Sequence, residues 1–317
     1  MKPADSKPKV AFYWCASCGG CEEAVVDLDE ALLDVAGAVE IVFWPVALDF
    51  KVKDVEAMPD GSILASFING AIRNSEQRDM AELLRAKSQV VVALGVCAQL
   101  GGIPGLANLS DAAGIFAEVY RDGVVPQQFY RDNGHALHLP ELFDTVAALG
   151  SAIDVDYYLP GCPPTPNLIR DAVTALLGTE LPPKGAVLAP DKALCEQCPR
   201  KDTRFEKLLV KEFKRVHQIV PDQETCLLAQ GVVCLGSATR AGCDARCIRG
   251  NMPCTGCFGP TSRVRDFGAK ALSAIASVVE SNEEAAIARV LSAVPDPVGT
   301  FYRYSLPSSL LGRRRMD

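Results

Sequence analysis

The chain has 317 residues, of which 49% are hydrophobic and 22% are charged, and its formal net charge is −7 at pH 7. This composition is typical of a soluble globular protein of about two domains, because long charged or polar tracts are missing. The acidic balance argues against nucleic acid as a partner, since phosphate binding needs a basic face. The longest apolar run, the nine residues Val90–Ala98, is too short for a membrane span. The N-terminal MKPADSKPKV has no apolar signal core, so we predict a cytoplasmic location.

The first half of the chain alternates apolar strands with helices. The predicted strands are Val10–Trp14, Val39–Trp44, Ile63–Ile68, Gln89–Gly95 and Val155–Leu159, and the predicted helices are Glu22–Val35, Gln77–Ala86 and Pro166–Leu177. Nearly continuous apolar strands separated by helices indicate a parallel sheet that is covered on both faces. We therefore predict an α/β fold in which residues 1–180 form a flavodoxin-like, doubly wound domain.

The pattern changes after about residue 178. Residues 179–194 hold three prolines and no clear period, so we predict a linker there. Beyond it, helices are predicted at Phe205–Ile219, Ala269–Val279 and Glu283–Leu291. The stretch Cys226–Pro260 has six cysteines and little periodicity, so bound metal is the simplest means of holding it together. We predict that residues 181–317 form a second, irregular domain.

The unusual feature of the composition is its thirteen cysteines. In an intracellular chain, dense cysteines are more often metal ligands or catalytic groups than disulfides. Eight of them lie in the second half, where a sequential division gives two sets of four: Cys195, Cys198, Cys226 and Cys234, and then Cys243, Cys247, Cys254 and Cys257. Four thiolates hold either zinc or an iron–sulfur cluster, and the spacing alone does not decide between them.

The other five cysteines all follow predicted strands. Cys15, Cys18 and Cys21 come after the first strand, Cys97 follows the strand that ends at Gly95, and Cys162 follows the one that ends at Leu159. Because ligands bind at the carboxyl ends of strands in open α/β sheets, we expect these loops to converge. A site of four ligands leaves one of the three early cysteines surplus. Three sites of four cysteines suit electron transfer better than three structural zinc ions, because a domain with its own core gains little from zinc.

Several motifs resemble a known family. WCASCGGC after the first strand, GVCA at 95–98 and GCPPTP at 161–166 resemble the small subunit of nickel–iron hydrogenases. Part of this layout also resembles a cluster-bearing subunit of respiratory complex I. In the second half, LCEQCPRKDT, NMPCTGCFGP and PDPVGTFYRYSLPSSLL resemble the small subunit of the methyl-viologen-reducing hydrogenase, which is linked to heterodisulfide reductase in methanogens.

The resemblance implies three [4Fe-4S] clusters and assigns their ligands. The proximal cluster would be held by Cys18, Cys21, Cys97 and Cys162, the medial cluster by Cys243, Cys247, Cys254 and Cys257, and the distal cluster by Cys195, Cys198, Cys226 and Cys234. Cys15 is then the extra thiol. Glu23 resembles a glutamate that the family carries after its CxxC pair, so the resemblance suggests a proton route there, although a glutamate in the first turn of a helix also interacts favourably with the helix dipole.

The implied function is that of the electron-transfer subunit of an oxidoreductase. A nickel–iron hydrogenase large subunit would split H2, and electrons would leave for a small iron–sulfur subunit and a heterodisulfide-reductase-like flavoprotein. Two alternatives stay open: the same set of clusters in a hydrogenase-like or complex-I-like oxidoreductase that does not use H2, and a zinc-stabilised scaffold protein.

Overall fold

The computed structural model describes residues 7–121, 129–132, 135–178, 181–281, 283–294 and 296–312. A parallel sheet runs through the first half of the chain, and further short strands lie beside it. The strands among the described residues are β1 (Lys9–Trp14), β2 (Glu40–Phe43), β3 (Ile63–Asn69), β4 (Ile72–Asn74), β5 (Ser88–Leu94), β6 (Phe129–Asp132), β7 (His135–His138), β8 (Leu142–Ala147), β9 (Tyr157–Leu159) and β10 (Ala186–Val187).

The main sheet has six strands in the order β10–β9–β5–β3–β1–β2, and every neighbouring pair is parallel. The register pairs Val10 of β1 with Ala65 of β3, and Ile63 of β3 with Ser88 of β5. The strand order reverses at β1, as in flavodoxin-like doubly wound sheets. The predicted α/β class and parallel sheet are therefore confirmed. Two small antiparallel pairs, β4–β8 and β6–β7, were not predicted.

Helices connect the strands and continue into the second half. Those among the described residues are α1 (Gly20–Val26), α2 (Ala31–Ala38), α3 (Val52–Glu56), α4 (Ser75–Lys87), α5 (Gly95–Leu100), α6 (Ala112–Val119), α7 (Pro166–Leu177), α8 (Leu194–Gln197), α9 (Arg246–Arg249), α10 (Phe267–Ala276), α11 (Glu284–Leu291) and α12 (Pro297–Phe301). Local sequence fixes several of their ends. The Asn74 side chain accepts a hydrogen bond from the Gln77 N–H at the start of α4, and Thr165 caps α7 just before Pro166. No helix in the described ranges is long and apolar enough to cross a membrane.

The core of the first half has one layer on each face of the sheet. Val10 and Phe12 of β1 pack in one apolar cluster with α1 and α7, while Ala11 between them packs in the other cluster with α4. Alternation of this kind is expected because successive side chains of a strand point to opposite faces. Both faces are buried, which explains why the strands read as continuous apolar runs.

The predicted helix Glu22–Val35 is interrupted. The structure has α1 and α2 in its place, separated by a turn in which Asp29 has a φ of 51°. Backbone in this left-handed region cannot continue a right-handed helix. The helical period runs through the turn, and Leu28 within it is still buried.

The predicted helix Phe205–Ile219 is wrong. Only Val216–Gln218 forms a single 3-10 turn, and the segment otherwise makes isolated bridges. The Val210 N–H donates to Val278 O at 2.7 Å, and the Lys214 N–H donates to Gly231 O at 2.8 Å. Tertiary hydrogen bonds have therefore overridden the local helical preference of this segment.

The predicted linker 179–194 is also corrected. Within it, β10 pairs with β9 as the sixth strand of the main sheet. Pairing Ala186 with Tyr157 satisfies backbone groups on the exposed edge of β9. The sheet therefore includes residues beyond the predicted division at 180/181, which stays a prediction.

Candidate metal centres

The loops that carry the first-half cysteines meet at the carboxyl edge of the main sheet. Cys18 and Cys21 follow β1, Cys97 lies in α5 directly after β5, and Cys162 follows β9. Burial raises the pKa of the Cys21 thiol well above its ordinary range, and the thiols of Cys97, Cys162 and Cys18 raise it further. The Val96 N–H donates to Gly161 O at 2.8 Å, which joins the Cys97 and Cys162 loops, and both cysteines pack in one small apolar cluster. The predicted convergence of the strand-end loops is found in the structure.

Two glycines leave space for the sulfur atoms of this group. Gly95 has a φ of +82°, and a Cβ built on it would lie 2.3 Å from Sγ of Cys21. Gly102 has a φ of +57°, and a Cβ there would lie 2.3 Å from Sγ of Cys97. A side chain at either position would occupy the space of a cysteine sulfur. The peptide bond between Cys162 and Pro163 is cis.

Cys15 lies apart from the other four. It is buried in the apolar cluster on the α4 side of the sheet, whereas Cys21 belongs to the cluster on the opposite side. Burial and the nearby Glu76 carboxylate raise the pKa of the Cys15 thiol to about 12, with no contribution from another cysteine. The structure thus groups Cys18, and not Cys15, with Cys21.

A second group forms in the other half of the chain. Burial raises the pKa of the Cys195 thiol to about 12, and Cys234, Cys198 and Cys226 add to the rise. Gly236 leaves room here, because a Cβ on it would lie 3.3 Å from Sγ of Cys195 and 3.9 Å from Sγ of Cys234. These four cysteines are the first of the two sets obtained by dividing the sequence in order.

The remaining four cysteines surround a cavity. The cavity has a volume of about 180 Å³ and is lined by Cys243, Cys247, Cys254 and Cys257, with Cys162 at its edge. Burial raises the pKa of the Cys257 thiol to about 12, and the thiols of Cys162, Cys243 and Cys247 contribute to the rise. The donor set and the space together fit a thiolate-bound inorganic cluster.

The three groups form a row. Cys162 of the proximal set and Cys257 of the medial set both pack against one small apolar cluster, which contains Tyr304. Cys254 of the medial set donates its backbone N–H to Sγ of Cys234 in the distal set at 3.4 Å. The medial set therefore touches both of the others.

Backbone N–H groups point at several of the sulfurs. The Arg200 N–H donates to Sγ of Cys198 at 3.4 Å. Burial raises the pKa of Cys243, and hydrogen bonds from the N–H groups of Ala245 and Arg246 offset part of that rise. Asp244 and Ala245 have positive φ values of 54° and 52°, which turn the backbone toward that sulfur. Such donors stabilise a thiolate over a thiol, and they tune iron–sulfur clusters where these are bound. Burial raises the pKa of eight of the grouped thiols, so metal binding at these thiols must displace protons: Cys21, Cys97, Cys162, Cys195, Cys234, Cys243, Cys254 and Cys257.

Arg200 is a buried cation beside the distal set. Its side chain is 4% exposed and donates to the carbonyl oxygens of Asp222, Thr225 and Ile248 and to Oδ1 of Asn251. None of the described carboxylates forms a salt bridge with it. Sequence reasoning missed this residue, although its position two residues after Cys198 is a usable signal.

The two glutamates after Cys21 have opposite environments. Glu23 is exposed, whereas Glu22 is buried and accepts a hydrogen bond from Nδ2 of Asn69 at 3.1 Å. Burial raises the pKa of Glu22, and the hydrogen bond from Asn69 offsets part of that effect. The structure places Glu23 where a partner protein can reach it, and it makes Glu22 part of the scaffold beneath the Cys18–Cys21 loop.

No three His, Cys, Asp or Glu side chains in the described ranges are arranged to hold a single metal ion. Four ligands of one ion converge on one point, whereas the four cysteine ligands of a cubane bind four different iron atoms.

Comparison with known proteins agrees with this arrangement. Residues 18–176 match the family model described as the 20 Kd subunit of NADH ubiquinone oxidoreductase. The iron–sulfur subunit of the F420-non-reducing hydrogenase of Archaeoglobus profundus is 40% identical over 96% of this chain and 98% of its own length. The matching vhu subunit of the F420-non-reducing hydrogenase of Methanocaldococcus jannaschii is 38% identical over 96% of this chain and 97% of its own length.

Among solved structures, a chain of the H2-activated [NiFeSe]-hydrogenase of Dm. baculatum has the same fold. Its TM-score is 0.51 at 18% identity, and the match covers 81% of this chain and 95% of that one. The motif resemblance to hydrogenase small subunits and to complex I is therefore confirmed. The chain belongs to the family of iron–sulfur subunits of F420-non-reducing hydrogenases and is an electron-transferring small subunit of an oxidoreductase.

Proposed function

We propose that this subunit carries three [4Fe-4S] clusters on twelve of its thirteen cysteines. The ligands are Cys18, Cys21, Cys97 and Cys162 for the proximal cluster, Cys243, Cys247, Cys254 and Cys257 for the medial cluster, and Cys195, Cys198, Cys226 and Cys234 for the distal cluster. The observation that carries this assignment is the position of the thiols: Cys243, Cys247, Cys254 and Cys257 line one cavity, and Cys15 lies in an apolar cluster on the opposite side of the sheet from Cys21.

Bound clusters supply one-electron chemistry at each set. The chain's own residues keep the sets in a row, since Cys162 and Cys257 share one apolar contact and Cys254 bonds to Cys234. Cys18 is exposed at one end of this row. It marks the face where a hydrogenase large subunit delivers electrons from H2, and the distal set marks the exit.

The proposed donor is a nickel–iron hydrogenase large subunit, which is supported by relatives named as F420-non-reducing hydrogenase subunits. The proposed acceptor is a small iron–sulfur subunit that leads to a heterodisulfide-reductase-like flavoprotein. The match to the complex I family favours one alternative, an oxidoreductase with the same row of clusters and no H2 chemistry. The cytoplasmic location and the division into residues 1–180 and 181–317 belong to this proposal.

The decisive experiment is anaerobic purification of the native complex with its large subunit. We expect about twelve iron and twelve acid-labile sulfide per chain of this subunit, and reduction of methyl viologen by H2. Stoichiometric zinc in place of iron overturns the cluster assignment. Iron at the expected level without viologen reduction supports the alternative that does not use H2.

A matched pair of variants tests the proximal set. Cys18→Ser removes a proposed ligand, so about four iron per chain should be lost or the proximal cluster converted to a three-iron form. Cys15→Ser changes a thiol in a separate apolar cluster and should leave the iron content unchanged. Iron loss with Cys15→Ser alone contradicts the assignment.

Glu23 is proposed as a proton-transferring residue at the large-subunit face. Glu23→Gln keeps the shape of the side chain and removes the titrating carboxyl, so isotope exchange between H2 and D2O should slow. Glu23→Asp should restore part of the rate. Unchanged exchange in Glu23→Gln excludes the role.

A further inference from the structure

Residues 201–220 carry a net positive charge in an acidic chain. They hold six Lys and Arg against three Asp and Glu, whereas the whole chain has a net charge of −7. We call them the basic segment. Its cations are Lys201, Arg204, Lys207, Lys211, Lys214 and Arg215, and all but the half-buried Lys214 are exposed.

The inner side of the basic segment covers the distal set. Leu208, Val210 and Phe213 are buried in the apolar cluster against which Cys226 and Cys234 pack. Two hydrogen bonds fix the start of the segment. The Lys201 N–H donates to Cys198 O at 3.2 Å, and the Cys226 N–H donates to Oγ1 of Thr203 at 2.8 Å.

The outer side has charges without counterparts. Within the described ranges, Lys201, Arg204, Lys207 and Arg215 form no salt bridge. Lys211 and Lys214 have only long contacts, 3.9 Å to Glu280 and 3.8 Å to Glu212. Phe205, between Arg204 and Glu206 in the chain, has 66% of its surface exposed. Aromatic side chains are enriched at protein interfaces, and unpaired charges steer the approach of an oppositely charged partner.

We propose that the basic segment is the docking surface for an acidic iron–sulfur protein that accepts electrons from the distal set. The inference rests on the proposed function. It adds the charge of the partner's surface and the position of the contact on this chain. An acidic partner is repelled by the net negative charge of this chain and attracted by the unpaired cations of the basic segment. Long-range attraction therefore brings its redox centre to the cysteines that lie directly beneath the segment.

The test uses the intact anaerobic complex, with H2 as the donor and two acceptors. One acceptor is an acidic [2Fe-2S] ferredoxin, and the other is methyl viologen, a small cation that needs no docking surface. The variant is Lys201→Glu with Lys207→Glu and Lys211→Glu. Arg204 is kept, because its charge lowers the pKa of Cys195 and its loss would disturb the distal set itself. The control is Lys7→Glu with Lys53→Glu and Arg121→Glu, three exposed cations on other elements with the same change in net charge.

At low ionic strength, the wild-type complex should reduce ferredoxin at a rate that falls steeply as salt is added. The triple variant should lose about tenfold or more of this second-order rate and most of its salt dependence, while its viologen rate stays at the wild-type level. The control variant should match the wild type with both acceptors.

Equal ferredoxin rates in the variant and the control overturn the docking proposal and leave the proposed function intact. Loss of the large subunit during purification of the triple variant also overturns it, because the segment then faces that subunit. If the triple variant still reduces ferredoxin at the wild-type rate but no longer binds heparin, the segment binds a polyanion and not an iron–sulfur protein. Absence of viologen reduction in the wild-type complex counts against the proposed function itself.

Discussion

The two halves of the molecule are held together by different means. In the first half, the sheet strands are buried on both faces, and two large apolar clusters contain few cysteines. In the second half, the clusters are smaller, and Cys226, Cys234 and Cys254 are among the residues that build them. Short helices and single bridges replace the sheet. The comparison indicates that the first half is stable through hydrophobic burial, whereas the second needs what its thiols bind.

The largest expected effect is that of removing iron. Structural metal sites contribute on the order of 10 kcal/mol to folding, so chelation after anaerobic oxidation should unfold the second half while the sheet persists. Hydrogen exchange measured by mass spectrometry should show loss of protection in peptides that contain Cys226, Cys234 and Cys254. Peptides from β3 and β5 are the internal control. Equal loss of protection in both halves contradicts the comparison.

Arg200→Leu is expected to have the next largest effect. The change leaves three carbonyl oxygens and Asn251 without their donor, and each unsatisfied buried group costs about 1–3 kcal/mol, so the cluster-loaded protein should lose about 3 kcal/mol or more of unfolding free energy. Urea denaturation under anaerobic conditions measures this loss. Lys201→Leu, at the exposed neighbouring position, should change stability by less than about 0.5 kcal/mol. If Arg200→Leu and Lys201→Leu change the unfolding free energy by similar amounts, the hydrogen bonds of the Arg200 guanidinium do not stabilise the fold.

In the first half, Asp156 should show a pH-dependent effect. Burial by itself raises the pKa of this carboxyl, but hydrogen bonds from Lys184, Arg85 and the Val91 N–H outweigh burial and hold the pKa below its ordinary value. A lowered carboxyl pKa contributes stability above the unfolded-state pKa, and this contribution disappears as the pH falls through the folded-state pKa.

Asp156→Asn should therefore cost about 3 kcal/mol at pH 7, and the difference from wild type should shrink as the pH falls below about 4. Thermal or urea unfolding at a series of pH values measures the difference. The exposed pair Asp60–Lys87 supplies the control, since Asp60→Asn should cost less than about 1 kcal/mol. If the loss of unfolding free energy caused by Asp156→Asn instead grows as the pH falls, the predicted pH dependence is wrong.

The smallest expected effect is a stabilisation. Gly37 lies exposed in α2 with open space around it, so Gly37→Ala should raise the unfolding free energy by about 0.5–1 kcal/mol. Gly61 also has open space but a φ of +66°, and Gly61→Ala should lower stability by about 1–2 kcal/mol. Calorimetry of the two variants separates backbone strain from packing. Identical shifts would mean that backbone conformation does not matter at these positions.

Much of the fold was predictable because the strands are apolar and the helices are periodic. The strands near Val10, Ile63 and Gln89 and the helices α4 and α7 were found from these patterns. The segment Phe205–Ile219 was not, since its buried residues pack against chain far away in sequence. The antiparallel pair β4–β8 was missed for the same reason: its short strands are fixed by hydrogen bonds between residues about 70 apart.

The candidate site divides in the same way. Spacing alone gave the two sets of the second half, because cysteines that share a short irregular stretch have few other partners. Spacing could not choose between Cys15 and Cys18, and the resemblance supplied that choice. In the structure, Cys15 lies in the apolar cluster on the α4 side of the sheet and Cys21 in the opposite one, and this position follows from the direction of the chain after β1.

The class of fold and the family could both be inferred from the amino-acid sequence, since they depend on composition, period and motif. Three other features became visible only in the folded chain: the three groups form a row, Arg200 is buried beside the distal set, and a basic segment covers that set. Those features arise from contacts between residues far apart in the chain, and such contacts exist only when the packed backbone brings the residues together.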